Sequence, residues 1–129
     1  MNADRLFLEA AIELAEKGRF TCSPNPPVGC LICKDGEIIG RGFHERSGEA
    51  HAEINAIESL TGGLQDLAGA TVYVSLEPCA FKGRTPACAK TLSKYPIQRV
   101  VVGAIDPHSK VAGQGIKILR DSGIQVDVI

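Results

Sequence analysis

Three short apolar runs dominate the second half of the chain: TVYVSL at 71–76, RVVVGAI at 99–105 and IQVDVI at 124–129. Each reads as a strand, and segments of helical character lie between them, after Thr85 and over VAGQGIKILRDSG at 111–123. Strands joined through helices pair in parallel by right-handed crossovers, so this alternation fixes one half of a sheet. The first half completes it. DRLFLEAAIELAEKG at 4–18 places Leu6, Ala10 and Leu14, with Phe7 and Ala11, at helical spacing and stops at Gly18. After a proline-rich loop, FTCSPNPPVG, the run VGCLICKDGEIIGRGF reads as a hairpin turning at Asp35-Gly36. AHAEINAIESL is a short helix ended by Gly62-Gly63. A helix, a hairpin and three helix–strand units give a layered α/β domain with one mixed five-stranded sheet.

Size and charge narrow the range of functions. The chain has 129 residues, 44% hydrophobic and 22% charged, which suits one domain over residues 1–129. Its net charge of −1 lacks the basic excess of a protein that grips nucleic acid through phosphates. No apolar run reaches the roughly 18 residues needed to span a membrane, and MNADRLFLEA carries no signal-peptide pattern. A cytoplasmic protein is expected, with its five cysteines reduced, metal-bound or buried, not paired as disulfides.

The sheet predicts where chemistry belongs. Open α/β sheets bind ligands at the carboxyl ends of their parallel strands. SLEPC ends one such strand, IDPHSK another, and HAE opens the helix after the hairpin. In these segments His51, Cys79 and Cys88 offer one imidazole and two thiolates, a donor set suited to a zinc ion that keeps one position open. Thr85-Pro86 reads as a helix N-cap followed by proline at the first helical position. That puts Cys88 in the first turn, where the helix dipole favours a thiolate. Glu53, two residues after His51, is too close to be a comfortable fourth ligand but within reach of a metal-bound water, whose pKa zinc lowers to about 7. H-x-E with a later P-C and a second cysteine is the signature of zinc-dependent base deaminases.

In this chain the two cysteines are separated by eight residues, not the usual two, and the intervening loop carries Lys82 and Arg84. With this spacing, the segments SPNPPVGCLI, GEAHAEINAI, SLEPCAFKGRTPAC and DPHSKVAGQGIKILRDSGI resemble the deaminase domain of the bifunctional deaminase/reductases of bacterial riboflavin biosynthesis. The resemblance covers about residues 5 to 128. It implies a three-layer α/β/α cytidine-deaminase-like fold, zinc held by His51, Cys79 and Cys88, and proton shuttling by Glu53. It also implies substrate contacts from Asn25, His44 and Asp106, with Lys82 and Arg84 approaching a ribose-phosphate. The substrate would be a phosphorylated aminopyrimidine, the assembly a homo-oligomer (dimer or tetramer), and a reductase, absent from this sequence, would act in trans.

The chain departs from that family in carrying Ala80, Phe81 and Lys82 where Ser-His-His is usual, and His108 where Asn is usual. These changes leave the metal chemistry alone and keep other substrates open: another aminopyrimidine, a nucleobase or a nucleoside. A zinc scaffold without catalysis is a third reading, in which Glu53 would be dispensable. Simpler readings apply elsewhere. Cys30 and Cys33 spell C-x-x-C, but residues three apart in a strand face opposite ways, so they belong to the core and not to one metal. His44 taken alone is a surface histidine, Asn25 a turn residue between prolines, and Lys82 and Arg84 solvated charges. Cys22 receives no role, and Gly113 and Gly115 read as helix-start backbone, not as a phosphate loop.

Overall fold

A computed structural model describes residues 3–18, 28–44, 51–76, 88–103 and 113–129, with the side chains of Gly18 and Cys88 excepted. Helix α1 spans Ala3–Ala15 and continues as a tight 3-10 turn to Gly18. Strands β1 (Gly29–Lys34) and β2 (Glu37–Phe43) form the hairpin. Its two-residue turn has positive φ at both Asp35 (53°) and Gly36 (81°), the backbone that matches strand twist and that Asp-Gly tolerates. Helix α2 (Ala52–Glu58), strand β3 (Thr71–Val74), helix α3 (Cys88–Ser93), strand β4 (Arg99–Val102), helix α4 (Gln114–Asp121) and strand β5 (Gln125–Val128) follow. Helix α2 stops at Ser59, ahead of the Gly62-Gly63 stop expected from the sequence; Gly63, with φ of 80°, instead caps a short 3-10 turn at Leu64–Leu67.

The sheet order is β2-β1-β3-β4-β5. β1 runs antiparallel to both neighbours, and β3, β4 and β5 are parallel, so the mixed five-stranded sheet stands as read. Strand alternation divides the apolar residues between two cores. Leu8 and Ala11 of α1 pack with Leu31, Cys33, Tyr73 and Val101 on one face. α2, α3 and α4 cover the other through Ala52, Ala56, Leu92, Ile116 and Leu119, against Ile32, Val72, Val74, Val100 and Val102. The result is three layers, α/β/α. Cys30 lies in the second core and Cys33 in the first, so the C-x-x-C pair does straddle the sheet. Burial raises both thiols, Cys33 to about 11, which keeps them neutral and poor metal ligands.

Two glycines let helices lie directly on strands. A Cβ on Gly29 would stand 1.9 Å from Ala11 O of α1, and one on Gly42 2.3 Å from Ala56 N and 2.5 Å from Ala52 O of α2. Both edge strands are partly closed by helix side chains. On β2, Ser59 Oγ accepts from Arg41 N (2.9 Å) and Asn55 Nδ2 donates to Phe43 O (2.8 Å); on β5, Arg120 Nη2 donates to Val126 O (2.9 Å). Occupied edge groups are poor templates for strand addition.

At the amino ends of the parallel strands, Arg99 joins three elements. Its guanidinium grips Asp4 of α1 in a two-pronged pair (2.9 and 2.7 Å), its Nε donates to Asp127 of β5 (2.6 Å), and Tyr73 of β3 donates its hydroxyl to Asp4 (2.7 Å). The Arg99 hydrogen bonds hold the Asp4 carboxyl below its ordinary value of 3.8, and Tyr73 is driven up, by burial first and then by Asp4. Because Asp4 is depressed in the folded chain, its contribution is complete above about pH 4 and fades as pH falls through the lowered value. Asp4→Asn should therefore cost about 1–3 kcal/mol at neutral pH in urea unfolding, with the gap to wild type narrowing as pH falls below about 4. Gly42→Ala should cost a similar 1–3 kcal/mol by overpacking, and lower the thermal midpoint at every pH.

Candidate metal and substrate site

The opposite end of the sheet forms a rim. β1 runs against β3, so its first residues stand beside the end of β3: Ser75 N donates to Gly29 O and Gly29 N to Ser75 Oγ, each at 3.0 Å. Gly103 N donates to Val74 O (3.0 Å), adding the end of β4, and Phe43 pairs with Gly29, adding the end of β2. Val28, His44, Leu76 and Gly103 are the terminal described residues of their segments at this rim. Asn25 precedes Val28 by three residues, Cys79 follows Leu76 by three, and Asp106 follows Gly103 by three.

Helix α2 begins at the same place. His51 is its N-cap residue, with extended backbone (φ −74°, ψ 167°) and no side-chain capping hydrogen bond. Histidine is not among the residues that favour an N-cap, so this position is not filled for helix stability. Glu53 follows in the first turn, where the positive end of the helix favours a carboxylate. It is only 3% exposed, and His44, one residue beyond β2, is 2% exposed. These two are the buried polar or charged side chains among the described residues, and both sit at this rim. Burying such groups costs free energy that the apolar residues around them do not incur. The rings of His44 and His51 meet edge to face, centroids 5.0 Å apart and planes at 87°. The thiol of Cys30, in the core with Ala52 and Ala56, is raised by its own burial and further by the nearby Glu53 carboxylate.

Of the residues predicted from sequence, the structure thus brings together His44, His51 and Glu53. Cys88 is the first residue of α3, in the first turn as expected, and Ala89 beside it packs into the same core as Ala52 of α2. Asn25, Cys79, Lys82, Arg84 and Asp106, and the Thr85-Pro86 cap, lie outside the described residues. Among the described residues no cluster of three histidine, cysteine or carboxylate side chains forms a metal site, since two of the three expected ligands contribute no described side chain. What is described suits zinc in kind: an imidazole not used for capping, with a buried carboxylate two residues on. Asn55 went unnoticed in the sequence. Its spacing of four from His51, one helical turn, was the available signal.

The family profile for the cytidine and deoxycytidylate deaminase zinc-binding region matches residues 1–104. The chain is 48% identical over 123 residues to the riboflavin biosynthesis protein RibD of Escherichia coli, covering 95% of this chain and 33% of that protein. It therefore spans about one third of the length of that relative. Against the diaminohydroxyphosphoribosylamino-pyrimidine deaminase of Buchnera aphidicola (Acyrthosiphon pisum) it is 47% identical, covering 95% of this chain and 82% of the relative. The solved RibD of Acinetobacter baumannii superposes with a TM-score of 0.91 at 48% identity, over 97% of this chain and 34% of that one. A cyanophage dCMP deaminase shares the fold, with a TM-score of 0.77 at 18% identity over 100% of this chain and 99% of that one. No helix among the described residues is long and apolar enough to cross a membrane. On the strength of the profile and of the Buchnera relative, the chain belongs to the cytidine and deoxycytidylate deaminase zinc-binding family.

Proposed function

We propose that the chain is a zinc-dependent hydrolytic deaminase of a phosphoribosylated diaminopyrimidine, acting in riboflavin biosynthesis. The observation that carries this reading is Glu53, a carboxylate 3% exposed at the start of α2, two residues after His51 and on the rim where His44 is also buried. The names of the RibD and Buchnera relatives, at 48% and 47% identity, support the substrate class.

In this reading His51, Cys79 and Cys88 hold the zinc. When bound, zinc supplies a water that ionises near neutral pH. Glu53 takes the proton from the attacking water and delivers it to the exocyclic nitrogen. The ring carbon gains a bond to oxygen, its bond to nitrogen breaks, and ammonia leaves. Burial suits Glu53 to this task, because a carboxylate with little bulk water around it trades protons with the reacting groups and not with solvent. Asn25, His44 and Asp106 orient the pyrimidine, and Lys82 and Arg84 bind its phosphate as groups remote from the chemistry. Residues 1–129 act as one deaminase unit. The solved Thermotoga maritima relative, 46% identical, is named as both deaminase and 5-amino-6-(5-phosphoribosylamino)uracil reductase, so a reductase is the expected partner activity. Self-association would use helix faces, given the occupied edges of β2 and β5.

Glu53→Gln should keep zinc and fold while losing about 10²–10⁴-fold in kcat, measured as ammonia release. Cys88→Ala should lose zinc and turnover together. Near-normal turnover in the first variant, or full zinc in the second, would contradict the proton-shuttle and ligand roles of these two residues.

Arg84→Ala should raise KM by about ten- to hundredfold for the phosphorylated substrate and barely change it for the dephosphorylated one, with the penalty shrinking as salt rises. Equal losses on both substrates would instead favour a base or nucleoside as the natural substrate.

A further inference from the structure

The peptide group joining Phe43 to His44 is held from both sides. Its carbonyl, Phe43 O, accepts from Asn55 Nδ2 at 2.8 Å, and its amide, His44 N, donates to Val28 O at 3.0 Å. A peptide group is planar, so holding both ends fixes its plane and the position of the His44 Cα that carries the ring. That ring is buried and stands edge-on to His51. Asn55 is also tied to His51 directly, because Asn55 N donates to His51 O at 3.0 Å in the first turn of α2. One residue therefore touches the main chain of His51 through its own backbone and the peptide before His44 through its carboxamide.

We infer that Asn55 is a positioning residue whose carboxamide sets the His44 ring against His51 and, through that ring, the binding of the substrate pyrimidine. The link to binding rests on the reading of His44 as a substrate contact. The simpler role for the carboxamide is to occupy an edge carbonyl of β2. Ser59 provides the comparison: one turn further along α2, its Oγ occupies Arg41 N at 2.9 Å, away from His44. A role confined to closing the edge would make the two residues equivalent. A positioning role singles out Asn55.

The test compares zinc-loaded wild type with three variants. Asn55→Asp keeps the size of the side chain, removes the donor and sets an acceptor against Phe43 O. Asn55→His restores a donor, because its Nδ1 stands the same number of bonds from the backbone, and the surface cavity of about 450 Å³ beside Asn55, lined also by Arg41, Phe43 and Glu58, has room for the larger ring. Ser59→Ala removes only the neighbouring edge contact. Each is measured for zinc content, for amide hydrogen exchange at His44 by NMR, and for kcat and KM on the phosphorylated aminopyrimidine. In Asn55→Asp the His44 amide should exchange about tenfold faster and KM should rise about tenfold, with kcat within about threefold and zinc retained. Asn55→His should return both values to within about threefold of wild type, and Ser59→Ala should leave both unchanged. Unchanged His44 exchange in Asn55→Asp, no recovery in Asn55→His, or an equal effect in Ser59→Ala would overturn the inference. Faster exchange with unaltered KM would overturn the link to substrate binding. A wild type that turns over no aminopyrimidine would count against the proposed function, while the exchange measurements would still decide whether Asn55 holds the His44 peptide.

Discussion

The site depends on how closely α2 can approach β2. Helix and strand backbones ordinarily keep a layer of side chains between them. At Gly42 that layer is absent, and the backbone of α2 at Ala52 and Ala56 stands where a Cβ would be. The two alanines give the helix a small face towards the strand, and Gly40 extends the contact towards Ala56 and Leu60. Bringing the helix this near sinks its first turn into the rim of the sheet. Glu53 is buried for that reason, and His51 meets His44 across the gap between helix start and strand end. With a larger residue at position 42 the same sequence motif would sit further from the strand and nearer to solvent.

The two ends of the sheet do different work. At the amino ends of the parallel strands, the charges are partnered: Arg99 meets Asp4 and Asp127, and Tyr73 closes the group, so that α1, β3, β4 and β5 are joined by short hydrogen bonds. Such a cluster supplies stability and tolerates little rearrangement. At the carboxyl ends the buried polar groups among the described residues are His44 and Glu53. A fold that secures one end electrostatically can keep costly groups buried at the other, where they are available for chemistry. The edges follow the same economy. Asn55, Ser59 and Arg120 occupy outward-facing backbone groups that would otherwise invite strand addition.

Much of this was legible in the sequence because it rests on local rules. Period-two and period-3.6 patterns gave the strands and helices, Asp35-Gly36 gave the hairpin turn, and alternation of strand and helix gave parallel pairing. The opposite facing of Cys30 and Cys33 needed only the pleat of a strand. The early stop of α2 at Ser59 was not legible. Ser59 has its hydroxyl bonded to Ala56 O and to Arg41 N, and the second of those partners belongs to a strand 18 residues away. The Arg99 group was equally hidden, since Asp4 and Arg99 are 95 residues apart and nothing in either neighbourhood announces the other.

The sequence by itself determined the chemistry on offer: one imidazole, two thiols and a carboxylate in a spacing that suits zinc, on a chain whose order of elements permits one mixed sheet. It could do so because ligand type and covalent spacing are properties of the chain. What only the tertiary structure decided is which groups are removed from water and which are held still. Glu53 is buried because the glycines of β2 let α2 lie close, and the Phe43–His44 peptide is fixed because Asn55 and Val28 reach it from opposite sides. Burial and orientation arise from contacts between segments distant in the chain, and no local pattern encodes them.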